Sequence, residues 1–244
     1  MTKDIEETKR GYNILAEKYH FLRISGQKFH NEFLEMPTTL KLLGAVRGKK
    51  VLDWGCGTGI YAKILTKKGA TVKGIDISNK EIEIAKRENP SVEFKVANAQ
   101  KLPYRNNEFD IALSALALYY TKDWNPLLKE INRVLKPNGI FVFSEGNPVT
   151  DCIGLRGRNT KIEIKRSYFD EKTKVRIPWW GNVVMPWYHK TYGTIIKLLR
   201  KNGFELLDYE DSKPIKKAKK LFPKDYAKTS LLPYFCTWKW VKVR

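Results

Sequence analysis

The chain has 244 residues and a mass of 28.4 kDa, too long for a disulfide mini-protein and too short for two generous enzyme domains. With 42% hydrophobic and 30% charged residues it belongs with folded globular chains, not disordered ones. Forty-six Lys and Arg against 26 Asp and Glu leave a net charge of +20, which fits either an anionic partner (nucleic acid, a membrane surface, an acidic substrate) or a solvated lysine-rich surface.

The start, Met1 to Arg10, alternates charges and has no apolar stretch, so no signal peptide is expected. The longest apolar run, Ile111 to Tyr120, falls short of the roughly 18 residues of a membrane span. Cys56, Cys152 and Cys236 lie far apart, and there are three histidines, so neither a disulfide framework nor a zinc cluster is expected. These features fit a reducing, cytoplasmic setting.

Residues 1–45 read as two helices, the second around Gln27 to Leu43. From Lys49 to about Glu145, short apolar runs alternate with amphipathic stretches, as in an open sheet flanked by helices. Val51 to Asp53 is the first strand, followed by Ile60, Tyr61, Ile64 and Leu65 at helical spacing up to Gly69. Ala70 to Asp76 is the second strand, Asn79 to Glu88 a helix closed by Asn89-Pro90, and Val92 to Val96 a third strand of period two. Phe109 to Ala115, apolar almost throughout, is a buried fourth strand. A helix opened by Asn125-Pro126 aligns Leu127, Leu128, Ile131, Val134 and Leu135 on one face. Pro137-Asn138-Gly139 ends it before a fifth strand, Ile140 to Ser144. Three short strands are expected in Lys161 to Tyr168, Lys172 to Pro178 and Asn182 to Trp187, a stretch that also carries Trp179, Trp180 and Trp187. A helix from Thr191 to Lys201 and two closing strands, Phe204 to Tyr209 and Tyr234 to Val243, complete a doubly wound α/β domain.

The informative stretch is Val51-Leu-Asp-Trp-Gly-Cys-Gly-Thr-Gly59. Three alternate glycines between a strand and a helix let backbone approach a ligand where side chains would collide. The spacing G-x-G-x-G departs from the dinucleotide fingerprint, and Asp53, two residues before Gly55, would repel a pyrophosphate. Asp53 suits a ligand with a cationic end. Asp76 ends the second strand 21 positions after Gly55, where an α/β nucleoside site places a carboxylate for the ribose hydroxyls.

With these features the sequence resembles the class I S-adenosylmethionine-dependent methyltransferases, small-molecule type, closely over residues 49–145. Gly74-Ile-Asp-Ile-Ser78 looks like the acidic motif of the second strand. Leu102-Pro103 with Asn107 to Ala112 looks like the approach to the fourth strand, and Leu135-Lys-Pro-Asn-Gly139 like the turn before the fifth. The resemblance implies a Rossmann-like, seven-stranded, mainly parallel sheet with N-terminal helices and a β-rich lid insertion. It divides the chain into a helical cap (1–45), a cofactor-binding core (46–150), a lid (151–190) and a closing helix with strands (191–244). It further implies that Gly55, Cys56, Gly57 and Gly59 hold the methionine part of S-adenosylmethionine, with Asp53 supporting the loop and the amino group. Asp76 would take the ribose hydroxyls, Ile77 would lie against adenine, and Asn98-Ala99 would stand where many members have an acid and an alanine. Ser114 would lie near the methyl donor, and Tyr12 and Tyr19, seven apart on one helical face, would close over the cofactor.

Plainer roles compete for several of these residues. Asp53 could brace the loop or cap a helix, Cys56 could be a small loop residue, and Tyr12 and Tyr19 could be core aromatics. The lid tryptophans fit either cover for a sheet edge or stacking on an acceptor. Methyl transfer from a sulfonium is a direct displacement that needs alignment and dryness, plus a base where the nucleophile is a hydroxyl. His189, Glu145 and Tyr119 are candidate bases, with His189 chosen for its place before a helix and half-exposed surface histidine as the alternative. A small-molecule acceptor, flat or apolar, aromatic or anionic, is the leading expectation. A nucleic-acid substrate is the second, on account of Lys213-Pro-Ile-Lys-Lys-Ala-Lys-Lys220. A non-catalytic cofactor-binding protein is the third. No metal is expected.

Overall fold

In the computed structural model, which describes residues 3–156, 161–178 and 183–243, the apolar runs form one sheet. Its strands are β1 (Lys50–Trp54), β2 (Thr71–Asp76), β3 (Glu93–Val96), β4 (Phe109–Ala115), β5 (Leu135–Gly146), β10 (Phe204–Asp211) and β11 (Phe235–Lys242). Their order is β10-β11-β5-β4-β1-β2-β3. β11 runs antiparallel to both β5 and β10, and the remaining pairs are parallel. This is the seven-stranded, mainly parallel sheet expected from the sequence.

Alternation places successive residues on opposite faces. Leu52, Phe141 and Phe143 pack with Trp124, Trp238 and Trp240 on one side, against α5 (Asn125–Val134) and α6 (Tyr192–Lys201). Val51, Val72 and Val142 pack with Leu65 and Phe94 on the other, against α2 (Met36–Leu43), α3 (Ile60–Lys67) and α4 (Asn79–Glu88). The strand order reverses between β1 and β4, which opens a crevice at their carboxyl ends.

Two departures from the sequence reading trace to a proline. Periodicity carries the helix through Leu135, but α5 ends at Val134 and Leu135 already pairs with Phe109 in β5. Lys136 precedes Pro137 and is pushed out of helical geometry, so the chain turns extended early. The second N-terminal helix is in two parts, a π-helical stretch His30–Glu35 followed by α2. Pro37 has no N–H for the Phe33 carbonyl, which instead accepts the Ile215 N–H at 3.0 Å.

The region after β5 forms two hairpins. β6 (Ile153–Arg156), which the sequence pattern did not indicate, pairs with β7 (Lys161–Ile164). β8 (Val175–Pro178) pairs with β9 (Val184–Trp187). Trp179, Trp180 and Asn182 lie outside the described residues. Met185 is fully buried against Leu15 of α1 (Lys3–Ile24) and Tyr120, which seats β9 on the N-terminal helix. Glu171 ties the hairpins to α6 by accepting the Thr191 N–H (2.9 Å) and hydroxyl (2.6 Å), while Thr191 caps α6 by accepting the Thr194 N–H at 3.2 Å. Thr191→Ala is expected to cost about 1 kcal/mol, a fall in Tm of ~2–4 °C by calorimetry.

Candidate functional site

The crevice is a cavity of about 600 Å³, within the usual span for small-molecule sites. β1 delivers Asp53 and then Gly55, Cys56 and Gly57 to its wall. Gly55 and Gly57 have φ of +71° and +52°, left-handed backbone that side chains other than glycine's adopt at a cost. The N–H groups of Gly55 and Cys56 donate to the Ile75 carbonyl at 2.8 and 2.9 Å, pinning the loop to β2. Asp76 braces it from the other side, its carboxylate accepting the Gly57 N–H (3.0 Å) and the Ser78 N–H (2.8 Å).

The structure gathers Tyr12, Tyr19, Asp53, Gly55, Cys56, Gly57, Asp76, Ile77, Asn98 and Ala99 around this one cavity. Gly59 and Ser114 are not on its wall. Gly59, φ +77°, opens α3 and is packed so closely that a Cβ would meet Asn89 Nδ2 at 2.8 Å. Ser114 is fully buried within β4, its hydroxyl without a partner. The Cys56 thiol is pushed up by burial and stays neutral, consistent with a loop residue rather than a nucleophile.

α1 forms the roof. Asn13 accepts the Ser78 hydroxyl (2.7 Å) and the Lys80 N–H (3.2 Å) at the start of α4, and His20 meets Thr58 at 3.0 Å on the glycine loop. Tyr12 and Tyr120 hydroxyls are 2.8 Å apart, with their rings edge-on.

Several charged residues on the wall went unremarked in the sequence, Arg23, Lys28, Glu35, Glu81 and Asp151 among them. Arg23 lies on α1 at helical spacing from Tyr12 and Tyr19, which is the signal that would have found it. It pairs with Glu32 at 2.5 Å, and its Nη2 is buried without a partner. Glu81 stands in Ser78-x-x-Glu81, which reads as a capping box. The Ser78 hydroxyl does accept the Glu81 N–H at 3.1 Å, but the carboxyl turns to the cavity and neither oxygen has a partner. Burial, with Asp76 adding, pushes the Glu81 carboxyl well above the usual range. Burial raises Asp76 as well, and burial with Asp76 nearby pushes Asp53 up to about 7. One Asp53 oxygen is also buried without a partner. Glu35 differs: its buried carboxyl accepts from Tyr61 (2.9 Å), Thr39 (2.8 Å) and Ser144, and braces the wall.

The cavity is also lined by the aromatic residues Tyr119, Tyr120, Trp187, Tyr234 and Phe235, and by Asp151. His189 does not line it. It is 1% exposed, with Nε2 2.8 Å from the Tyr168 carbonyl and Nδ1 3.4 Å from Asp151 Oδ2. The expected half-exposed or cavity-facing histidine is therefore a buried one behind Asp151. Glu145, the second candidate base, is buried off the wall and accepts the Trp238 indole N–H at 3.0 Å. Tyr119 does line the cavity. The exposed lysines Lys213, Lys216, Lys217, Lys219 and Lys220 do not. Among the described residues no cluster of possible metal ligands occurs, and no helix is long and apolar enough to cross a membrane.

Residues 52–143 match the family model of the methyltransferase domain. A demethylmenaquinone methyltransferase of Lactococcus lactis is 30% identical over 232 residues, covering 86% of this chain and 87% of that protein. One from Staphylococcus aureus is 33% identical over 151 residues, 59% of this chain and 62% of that protein. The crystal structure of an S-adenosylmethionine-dependent methyltransferase from Mesorhizobium loti superposes with a TM-score of 0.75 at 27% identity, covering 85% of this chain and 97% of that one.

Proposed function

The chain belongs to the S-adenosylmethionine-dependent methyltransferases, and from that premise we propose that its acceptor is a flat, largely apolar hydroxyarene of the hydroquinone kind. The observation that carries this reading is the aromatic lining of the cavity, Tyr119, Tyr120, Trp187, Tyr234 and Phe235, which offers ring faces and edges to a planar guest. The relatives named for demethylmenaquinone support it, since a quinone ring becomes a nucleophile only in its reduced, hydroxyl-bearing form.

The residues present fit the cofactor. A ligand with a sulfonium, an ammonium and a carboxylate needs buried acids and one buried cation, and unpartnered oxygens of Asp53 and Glu81 face a cavity that also holds the unpartnered Arg23 Nη2. In this reading Asp76 takes the ribose hydroxyls with lone pairs not used by Gly57 and Ser78. Ile77, Asn98 and Ala99 flank adenine, the loop at Gly55 to Gly57 holds the methionine chain, and Arg23 takes its carboxylate. A cationic ligand end favours the ionised carboxylates and so reverses the upward push of burial on Asp53 and Glu81. Residues 1–45 act as a cap and 151–190 as a lid over the core at 46–150, closed by 191–244.

The bound cofactor supplies a methyl carbon on a positively charged sulfur. What the chain adds is position and dryness: α1 with Tyr12 and Tyr19, and β9 with Trp187 packed against α1, together cover the cavity. Arg23→Gln is expected to weaken S-adenosylhomocysteine by about 1.5–3 kcal/mol, at least tenfold by calorimetry, through loss of a charge-assisted contact.

The acceptor reading is tested with methyl-labelled S-adenosylmethionine and 1,4-naphthohydroquinone, with extracted RNA in parallel. Label in the naphthalene ring system or its oxygens supports it. Label in RNA alone overturns it and turns attention to the lysines of 213–220.

A further inference from the structure

Asp151 stands among aromatic residues of the cavity wall, and its surroundings assign it a task. Asp151 follows β5, five residues beyond Gly146. Ala115, the last residue of β4, is paired with Ser144, so Gly146 and Asp151 follow on the strand next to the one that leads into Leu116 and Ala117, and all four residues line the cavity. Gly146 leaves the space that Asp151 occupies, for a Cβ there would lie 2.8 Å from Asp151 Oδ1. The Asp151 side chain is 14% exposed, on the cavity, while His189 behind it is wholly enclosed.

The tautomer of His189 follows from its partners. A carbonyl oxygen only accepts, so the nitrogen 2.8 Å from Tyr168 O carries a hydrogen. Nδ1 is then the site of the second proton, 3.4 Å from Asp151 Oδ2. The rings of Tyr168 and Trp187, at 5.6 and 6.4 Å, hold the imidazole in this orientation. The pair thus has one proton position between its members, and Asp151 is the member that lines the cavity.

We propose that Asp151 is the general base that takes the hydroxyl proton of the acceptor, with His189 as its positioning residue. The proposal rests on the hydroxyarene reading above. The acceptor O–H bond breaks, its proton bonds to an Asp151 oxygen, and the electron pair stays on the acceptor. The acceptor delivers a pair to the methyl carbon as the C–S pair returns to sulfur. At oxygen the product is an ether; at a ring carbon, the displaced ring hydrogen moves to the oxygen as aromaticity returns. Either way one proton leaves, carried by Asp151.

Burial pushes the Asp151 carboxyl up to about 6, against the hydrogen bond and charge of His189 and the charge of Arg166, which hold it down. Glu145 on β5 also faces it, and the Cys152 and Cys236 thiols nearby are raised by burial and neutral. A base poised just below neutrality is ionised at working pH yet still takes a proton readily.

Two measurements test the pair. With 1,4-naphthohydroquinone and S-adenosylmethionine, kcat/KM should rise through about pH 6 as Asp151 loses its proton. Asp151→Asn should remove that rise and lower kcat by roughly 10²–10⁴, leaving S-adenosylhomocysteine affinity within about twofold. His189→Gln should keep the rise but displace it to higher pH, because the larger of the two influences that hold the Asp151 carboxyl down is gone, and should lower kcat more than it changes KM. Separately, 4-nitrophenol is titrated in the S-adenosylhomocysteine complex and its yellow anion read by absorbance. The Asp151 carboxylate should displace the ionisation of the bound phenol upward by at least about one unit, and Asp151→Asn should abolish the displacement. An Asp151→Asn enzyme with an unaltered pH profile and rate overturns the proposal, as does a nitrophenol titration that ignores the substitution. A nitrophenol titration that responds to Asp151→Asn, in a protein that does not methylate naphthohydroquinone, upholds Asp151 and overturns the acceptor reading instead.

Discussion

Gly55→Ala is expected to weaken S-adenosylhomocysteine by more than about a hundredfold, as measured by titration calorimetry. Two effects act together. At φ +71° an alanine costs roughly 1–2 kcal/mol of backbone strain, and its Cβ would lie 2.7 Å from the Ala117 Cβ, closer than two methyl groups approach. The loop after β4 and the loop after β1 must then part. Both are cavity walls, and a displacement on the order of 1 Å in a site that works by alignment costs about 10² in affinity or rate. The hydrogen bonds from Gly55 and Cys56 to Ile75 oppose any movement of the first loop alone. The cores on the two faces of the sheet are untouched, so cooperative unfolding should persist with Tm lowered by ~3–8 °C. An alanine enzyme that binds the nucleoside as tightly as the parent would show that the loop does not approach the ligand.

Asp76→Ala should cost about 3 kcal/mol of cofactor affinity, again beyond a hundredfold. Asp76 combines two functions in this fold. In the proposed reading it offers lone pairs to ribose hydroxyls, and in the structure it fixes the Gly57 and Ser78 N–H groups at 3.0 and 2.8 Å. Alanine removes the first function and leaves two backbone donors to find other acceptors. Asp76→Asn keeps the shape and one carbonyl oxygen, so it should lose less, on the order of 1 kcal/mol. Calorimetry on the two variants separates the functions. Equal losses would mean that charge alone matters, and no loss in either would move the ribose elsewhere.

Local physics made much of this molecule legible in the sequence. The glycine loop announced itself because positive φ demands glycine at Gly55 and Gly57, and that demand is met within a few residues of chain. The strands of the sheet were legible because period-two burial and apolar runs are local signals, and Asp76 because it ends one of them. Where these signals gave the wrong boundary, at Leu135 and at His30 to Glu35, the cause was a proline acting on its neighbours.

The sequence by itself thus determined the sheet, the glycine loop on the cavity wall and, through the family, the class of cofactor. The tertiary structure decided who stands around the rest of the cavity. Arg23, Glu81 and Asp151 come from separate elements, and each is read locally as something ordinary: a helix-surface cation, a cap, a loop acid. Their burial, and the buried atoms of Arg23 and Glu81 that lack partners, exist only once α1 lies over α4 and the hairpins close on α6. His189 shows the same divide, since its place before α6 was legible while its enclosure behind Asp151 depends on Tyr168, 21 residues away. Backbone conformation is set by neighbours in the chain; desolvation and proton affinity are set by neighbours in space.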